Sequence, residues 1–406
     1  MLAFDQARKL ILDSVKPLDP INLPLHDALN MVASEPANAG LDLPSFDNSA
    51  MDGYAVRSVE CTDAGEKPVS ATIMAGDRAD SVLPEGTVVK IMTGAPIPPG
   101  FDAVIPFEEV LSGQDDKVTL SAVVKGQHIR FSGEDIRTGD CIAQAGRIIR
   151  PAEIGVLAAT GILSVKVHRR VRVAILSTGD ELVEPCESIP PGKIINSNSP
   201  AIAAAVLEAG GEPVMLGIAA DTRDSLAAKI AVGLQHDMLV TTAGVSAGER
   251  DLVREMLAEA GVKPLFWKID LKPGGPTAFG LKGDKPVFSL PGNPVSSLLT
   301  FEELVRPALL RMMGHTAVLR PRFKGVLEED VEKKAGKATL LRVRVRKDGD
   351  VFRLSSAGNQ QTGMQRTLLL ADAVCLLPSE ATLLNKGELL EFHFLHDSSL
   401  MMTVEG

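Results

Sequence analysis

Val171-Arg172-Val173-Ala174-Ile175-Leu176 is followed at once by Ser177-Thr178-Gly179-Asp180-Glu181. The first six residues read as a continuous strand of the kind buried on both faces of a sheet, and hydroxyls, a glycine and carboxylates stand where it ends. Helix-period stretches and strands alternate after it. Ile202 with Val206, then Leu226, Ile230 and Leu234, then Leu252 with Met256 and Val253 with Leu257 recur at helical spacing. Between them, residues 213–218, 238–242, 264–269 and 287–290 read as strands. Such alternation with short connections predicts a doubly wound, mostly parallel α/β sheet over residues 169–312.

On either side the texture is different. Phe4, Ala7, Leu10, Ile11 and Val15 predict a helix that Pro17 stops. Residues 42–135 look β-like, with Val88–Ile91 and Ala103–Ile105 set between glycine and proline clusters. Pro96-Ile97-Pro98-Pro99-Gly100 can be neither helix nor central strand, because proline lacks the donor. After residue 312 the chain returns to β segments at 340–346, 351–354, 373–377 and 389–394. The expected architecture is a multidomain α/β plus β protein. Its parts are an N-terminal helical/β linker domain (1–41 and 136–168), an inserted β domain (42–135), the α/β domain (169–312) and a C-terminal β domain (313–406).

Length and charge narrow the function. With 406 residues, 45% hydrophobic and 23% charged, several cores can form and wholesale disorder is excluded. Forty-two basic against 52 acidic residues leave a charge of −10. That field repels phosphate backbones and anionic lipid, so neither a nucleic-acid nor a membrane partner is expected. No run of about 18 apolar residues occurs, which argues against a bilayer-spanning helix. Residues 1–10 carry Asp5 and lack a long apolar core, so they do not read as a secretion signal; a cytoplasmic protein is expected. Cys61, Cys141, Cys186 and Cys375 are too scattered for a metal site or a disulfide framework.

Ligands of open parallel sheets bind at the carboxyl ends of the strands. Those ends here carry Ser177-Thr178-Gly179-Asp180-Glu181, then Asp221, then Thr242-Ala243-Gly244-Val245-Ser246 with Asp251. Lys268 with Lys272-Pro273-Gly274-Gly275-Pro276, and Pro291-Gly292-Asn293-Pro294, complete the set. All five are expected to converge on one edge. Glycines let backbone amides approach phosphate oxygens, and lysines hold anions. Carboxylates beside phosphates call for a hard cation between them, so Glu181, Asp221 and Asp251 read as direct or water-mediated Mg²⁺ partners. A blander reading makes Asp180 and Asp251 helix N-terminal charges. Neither GxxxxGK[ST] nor GxGxxG occurs. His393 and His396 read as structural. Three acid- or hydroxyl-bearing turns, at 44–56, 93–96 and 133–136, form a second group whose relation to the sheet edge spacing does not reveal.

Seven ordered motifs now stand together: F-D-N-S-A-M-D-G-Y-A-V at 46–56, I-M-T-G-A-P at 91–96, I-R-x-x-G-E-D at 129–135, S-T-G-D-E-L at 177–182, G-K-I-x-N-S-N at 192–198, G-V-S-x-G-x-x-D at 244–251 and S-L-P-G-N-P at 289–294. With them the chain, from Met1 to about Leu377, resembles the molybdopterin molybdenumtransferase (MoeA) family, which also supplies the C-terminal enzymatic domain of gephyrin. The resemblance implies an elongated homodimer, with each active site between the α/β domain of one subunit and the 46–56 β domain of the other. It implies splitting of the phosphoanhydride of adenylylated molybdopterin, AMP release, transfer of molybdenum from molybdate to the dithiolene, and a need for Mg²⁺. Other molybdenum-cofactor biosynthesis proteins are the implied partners.

Motif by motif, the resemblance places catalytic roles on Asp52, Thr93, Asp135, Glu181, Asp221, Asp251, Lys268 and Lys272. It places substrate or oxyanion binding on Arg130, Arg342 and Thr362, and the strand-end reading adds Ser177, Thr178, Gly179, Gly244, Ser246, Pro273, Gly274, Pro291, Gly292 and Asn293 as substrate-binding residues. One departure matters: the family commonly reads K-P-G-K-P, and Gly275 stands where the second lysine would be. A non-catalytic molybdopterin carrier, a gephyrin-like scaffold and an adenylylating enzyme are the rival readings.

Overall fold

Arg172–Thr178 lies inside a six-stranded sheet, between Glu212–Ala219 and Met238–Thr242. These three and Lys285–Leu290 run parallel. Side-chain alternation explains why the strand is apolar throughout. Val173 and Ile175 join Met238, Val240 and the helices Asn198–Glu208 and Pro294–Thr300 in one core. Ala174 and Leu176 join Leu239, Val287 and the helices Arg223–Gly233 and Leu252–Glu259 in the other. Each fully buried aliphatic contributes about 1.5–3 kcal/mol. The sheet is doubly wound, as its sequence implies. The computed structural model describes residues 1–114, 116–185, 188–243 and 252–396.

The segment read as a strand at 264–269 behaves otherwise. Lys263–Phe266 is an antiparallel edge strand, paired with Ala278–Lys282, itself antiparallel to Lys285–Leu290. The physical reason is the two-residue link Gly283-Asp284, with Gly283 at φ +59°. A link that short joins only antiparallel strands. Ile269–Lys272 leaves this sheet altogether and runs parallel to Leu2–Ala3 and to Ala338–Asp348.

Five C-terminal strands close a small barrel. Ala338–Asp348 pairs with Val351–Ser356, which pairs with Phe323–Leu327. The circle continues through Leu389–Phe394 and Ala373–Leu377 back to Ala338–Asp348. Leu341, Val343, Leu354, Phe392 and Phe394 fill it. Leu340 and Val374 belong instead to the core of the α/β sheet. The helix Phe4–Ser14 joins that core too, through Phe4, Ala7 and Ile11. Sequence had grouped it with 136–168; its apolar stripe is covered by this core instead, and Leu18 N–H donates to the Met312 carbonyl (2.8 Å).

The chain divides into two units: 1–21 with 30–32 and 168–406, and 22–29 with 33–167. The second unit holds a six-stranded sheet in the order 103–106, 53–56, 88–91, 65–73, 117–120, 112–114. Its centre is tight: a Cβ on Gly53 would collide with the Ile105 carbonyl. That close approach explains the glycine of the M-D-G-Y motif. Among the described residues no helix is long and apolar enough to cross a membrane, and Cys61, Cys141 and Cys375 are free.

One ion pair sets an acid limit on the first unit. Asp237 accepts from Nη1 and Nη2 of Arg169, both at 2.6 Å, and from the Arg172 amide (2.9 Å). Burial pushes its pKa up, but these donors outweigh burial and hold it below the ordinary 3.8. A carboxylate depressed on folding stabilises the native state fully above its unfolded value and loses that stabilisation as pH falls through the folded one. Asp237→Asn should therefore cost about 1–2 kcal/mol at neutral pH. The gap between variant and parent, read by urea unfolding, should narrow only below about pH 3.8. A gap unchanged down to strong acid would contradict this.

Candidate active site

The carboxyl ends of the four parallel strands open on a cleft of about 1080 Å³. Thr178, Gly179, Glu181, Asp221, Thr242, Pro276, Pro291, Gly292 and Asn293 are among its walls. Gly179 has φ +141°, and a Cβ there would sit 2.5 Å from a Glu181 carboxylate oxygen. Glycine is thus what lets the Glu181 carboxylate fold back over the turn. Asp180 links neighbouring strand ends, since its Oδ1 accepts from the Asp221 amide (3.1 Å). Asn198 Nδ2 donates to the Gly292 carbonyl (2.8 Å) and ties a helix start to the next loop. Beneath the floor, the buried Ser177 hydroxyl shares hydrogen bonds with Ser199 Oγ (2.7 Å), Thr242 Oγ1 (2.8 Å) and Asn196 Oδ1 (3.0 Å). That network locks three strand and helix ends together, and makes Ser177 a brace beneath the surface.

The barrel reaches the same cleft. Asn293 Nδ2 donates to Thr362 Oγ1 (3.2 Å). Just before Thr362, the carbonyls of Asn359 and Gln361 receive Arg342 Nη2 at 3.3 and 3.5 Å. Arg342 is 0% exposed, and its Nε and Nη1 have no hydrogen-bond partner among the described residues. Burial pulls its pKa down to about 10, which leaves it charged at neutral pH. Ser297 Oγ and Thr300 Oγ1, on the helix that follows Asn293, are also buried and unpartnered. Thr300 Oγ1 lies against Gly274, where a Cβ would approach to 2.6 Å. Each unpaired buried polar group costs about 1–3 kcal/mol. A tetrahedral oxyanion has the acceptors that Arg342 lacks.

The three turns of the other unit form a group of their own. Asp52 Oδ1 accepts from both the amide (2.7 Å) and the hydroxyl (2.8 Å) of Thr93. Those two bonds hold its carboxyl below the usual carboxylate range. Asp47 Oδ1 accepts from the Ser132 amide (2.7 Å), and Ser49 N–H donates to the Ala95 carbonyl (3.0 Å). Arg130 and Asp135 are exposed on the same turns.

Residues 2–161 match the family description "MoeA N-terminal region (domain I and II)", 174–311 "Probable molybdopterin binding domain" and 324–395 "MoeA C-terminal region (domain IV)". The chain is 34% identical to the molybdopterin molybdenumtransferase of Haemophilus influenzae, over 96% of this chain and 97% of the other. It is 37% identical to molybdopterin molybdenumtransferase 2 of Mycobacterium tuberculosis, over 83% and 86%. The chain belongs to the molybdopterin molybdenumtransferase family. A crystal structure of a molybdopterin biosynthesis MoeA protein from Pyrococcus horikoshii superposes with a TM-score of 0.84 at 29% identity, covering 97% of this chain and 99% of that one.

Within this molybdenumtransferase fold, the nominated residues fall into distinct places. Thr178, Gly179, Glu181, Asp221, Pro291, Gly292 and Asn293 share the cleft, and Thr362 joins through Asn293. Lys272, Pro273 and Gly274 belong to the loop whose Pro276 forms one wall. Not all five strand ends converge as expected: Lys268 and Lys272 flank a strand of the barrel-side sheet, because Ile269–Lys272 has changed sheets. Ser177 and Arg342 are fully buried. Asp52, Thr93, Arg130 and Asp135 lie in the other unit. Gly244, Ser246 and Asp251 lie outside the described residues. Sequence reasoning gave Asp180 and Asn198 no site role, although both sit in quoted motifs. His393 and His396 take structural partners, Glu303 (3.1 Å) and Glu208 (3.3 Å).

Proposed function

We propose that this enzyme moves molybdenum from molybdate to the dithiolene of adenylylated molybdopterin, with Mg²⁺-dependent splitting of the phosphoanhydride and release of AMP. Family membership makes it a transferase of molybdenum-cofactor biosynthesis; the substrate and the chemical step are our reading. The observation that carries it is Arg342, a buried guanidinium with two donor positions unused, on a barrel strand and bonded to the loop that Thr362 fastens to a carboxylate-bearing cleft.

Glu181 and Asp221 offer the hard oxygen donors that Mg²⁺ prefers. Among the described residues no group of three or more His, Cys, Asp or Glu could hold a metal. Mg²⁺ is commonly held by a few carboxylates together with substrate phosphates. When bound, Mg²⁺ would neutralise charge developing on the anhydride oxygens. Glu181 and Asp221 would hold it, with Asp251 assigned to the same set. Lys272 and Lys268 would hold anionic oxygens, and Arg342 with Thr362 the molybdate. Asp52, Thr93, Arg130 and Asp135 would complete the site of the partner subunit in a homodimer. Exposed Phe46 and Phe131, beside the Asp47–Ser132 bond, supply apolar surface for that association.

The direct test incubates the purified chain with adenylylated molybdopterin and Mg²⁺ and follows AMP with and without molybdate. AMP release that requires molybdate, and that stops on chelation and returns with Mg²⁺, is the expected result. Tight pterin binding without AMP under any condition would make the chain a carrier.

A further inference from the structure

The loop Lys272-Pro273-Gly274-Gly275-Pro276 is drawn tight by Gly275, whose carbonyl accepts from the amides of Ile269 and Thr277, both at 3.0 Å. The Thr277 hydroxyl closes on the Gly274 carbonyl (2.6 Å). Gly275 offers no side chain next to Pro276, the cleft wall. The space is not empty of charge. A Cβ on Gly275 would lie 3.5 Å from Nζ of Lys337, which arrives from the barrel just before Ala338–Asp348.

Lys337 is half-buried, yet its ammonium makes no hydrogen bond or ion pair among the described residues. Its neighbour Lys333 is the contrast, donating to the carbonyls of Pro378 (2.7 Å), Ala381 (2.9 Å) and Ser379 (3.2 Å). Lys272 pairs in register with Thr339, two residues after Lys337. Both lysines therefore come to the same end of that ladder. Lys272 is exposed and likewise makes no ion pair among the described residues. Two ammonium groups thus meet one glycine-rich loop with no carboxylate to balance either. A bound anion is the partner such a pair lacks.

We infer that Lys337 holds an oxygen of a tetrahedral oxyanion, phosphate or molybdate, on the Gly275 side of the cleft, bringing from the barrel a cation that position 275 does not carry. The inference rests on the function proposed above and adds a binding residue to it. Its test is calorimetric titration of the full chain with molybdate, and separately with AMP, for the parent, Lys337→Met, Lys337→Gln and Lys337→Arg. Losing a charge-assisted bond should weaken one ligand about tenfold or more in the Met and Gln variants. The Arg variant should stay within about threefold of the parent, since charge is kept. Loss toward molybdate identifies the metal oxyanion as the occupant, and loss toward AMP identifies a phosphate. Unchanged affinity for both in variants that melt like the parent overturns the inference, as does a parent that binds neither. Binding is read without turnover, so a parent that binds oxyanions but releases no AMP would defeat the proposed reaction and leave Lys337 standing.

Discussion

Asp221→Asn should lower molybdate-dependent AMP release by about 10²-fold or more, while the melting temperature stays close to that of the parent. The size follows from what is removed. Asp221 is exposed in the cleft beside Glu181, and its amide is already fixed by Asp180. Asparagine keeps the shape and that backbone bond but loses a hard anionic donor facing the cleft. Preorganised charge at a reacting group is typically worth 10²–10³ in rate. An exposed isosteric change normally moves stability by no more than about 0.5 kcal/mol. AMP release followed across a Mg²⁺ titration checks it, with the oligomeric state of variant and parent compared by light scattering. Lys272→Ala, at the start of the loop that carries the cleft residue Pro276, should fail in the same assay with an oligomeric state like the parent's. Full turnover in both variants would leave the proposed site without support.

Arg342→Met separates binding from stability in the opposite sense to most core substitutions. The guanidinium is wholly buried, two of its donor positions are unused, and burial has already lowered its pKa to about 10. Its remaining bonds, to the Asn359 and Gln361 carbonyls, are long at 3.3 and 3.5 Å. Methionine fills a similar volume without the buried charge, and such replacements are often neutral or stabilise by about 1–4 kcal/mol. Molybdate affinity should nevertheless fall by about tenfold or more, because a charge-assisted donor is gone. Thermal unfolding and calorimetric titration on one preparation decide the matter. A variant that melts well below the parent and binds molybdate equally would show Arg342 to be a structural residue only.

The case of residues 263–272 shows where reading the chain in one dimension stops. Their apolar character was evident, but not that the segment splits between two sheets, one antiparallel and one shared with the barrel. Gly283-Asp284 was an available hairpin signal, since a two-residue link permits no other pairing. No local signal existed for the Asn293–Thr362 bond, 69 residues apart in sequence. Nor was there one for Lys337 at Gly275, or for the helix Phe4–Ser14 in the core of a sheet that begins near residue 172.

The residues alone established the doubly wound domain, because side-chain period and strand-end chemistry are properties of neighbours along the chain. They also carried the family motifs and the acids Glu181 and Asp221. Which strand left its sheet, which arginine was sealed away with unused donors, and which lysine came to stand over a glycine depended on what distant surfaces met. Burial and close approach are pairwise facts of three-dimensional packing, and no spacing in the sequence encodes them directly.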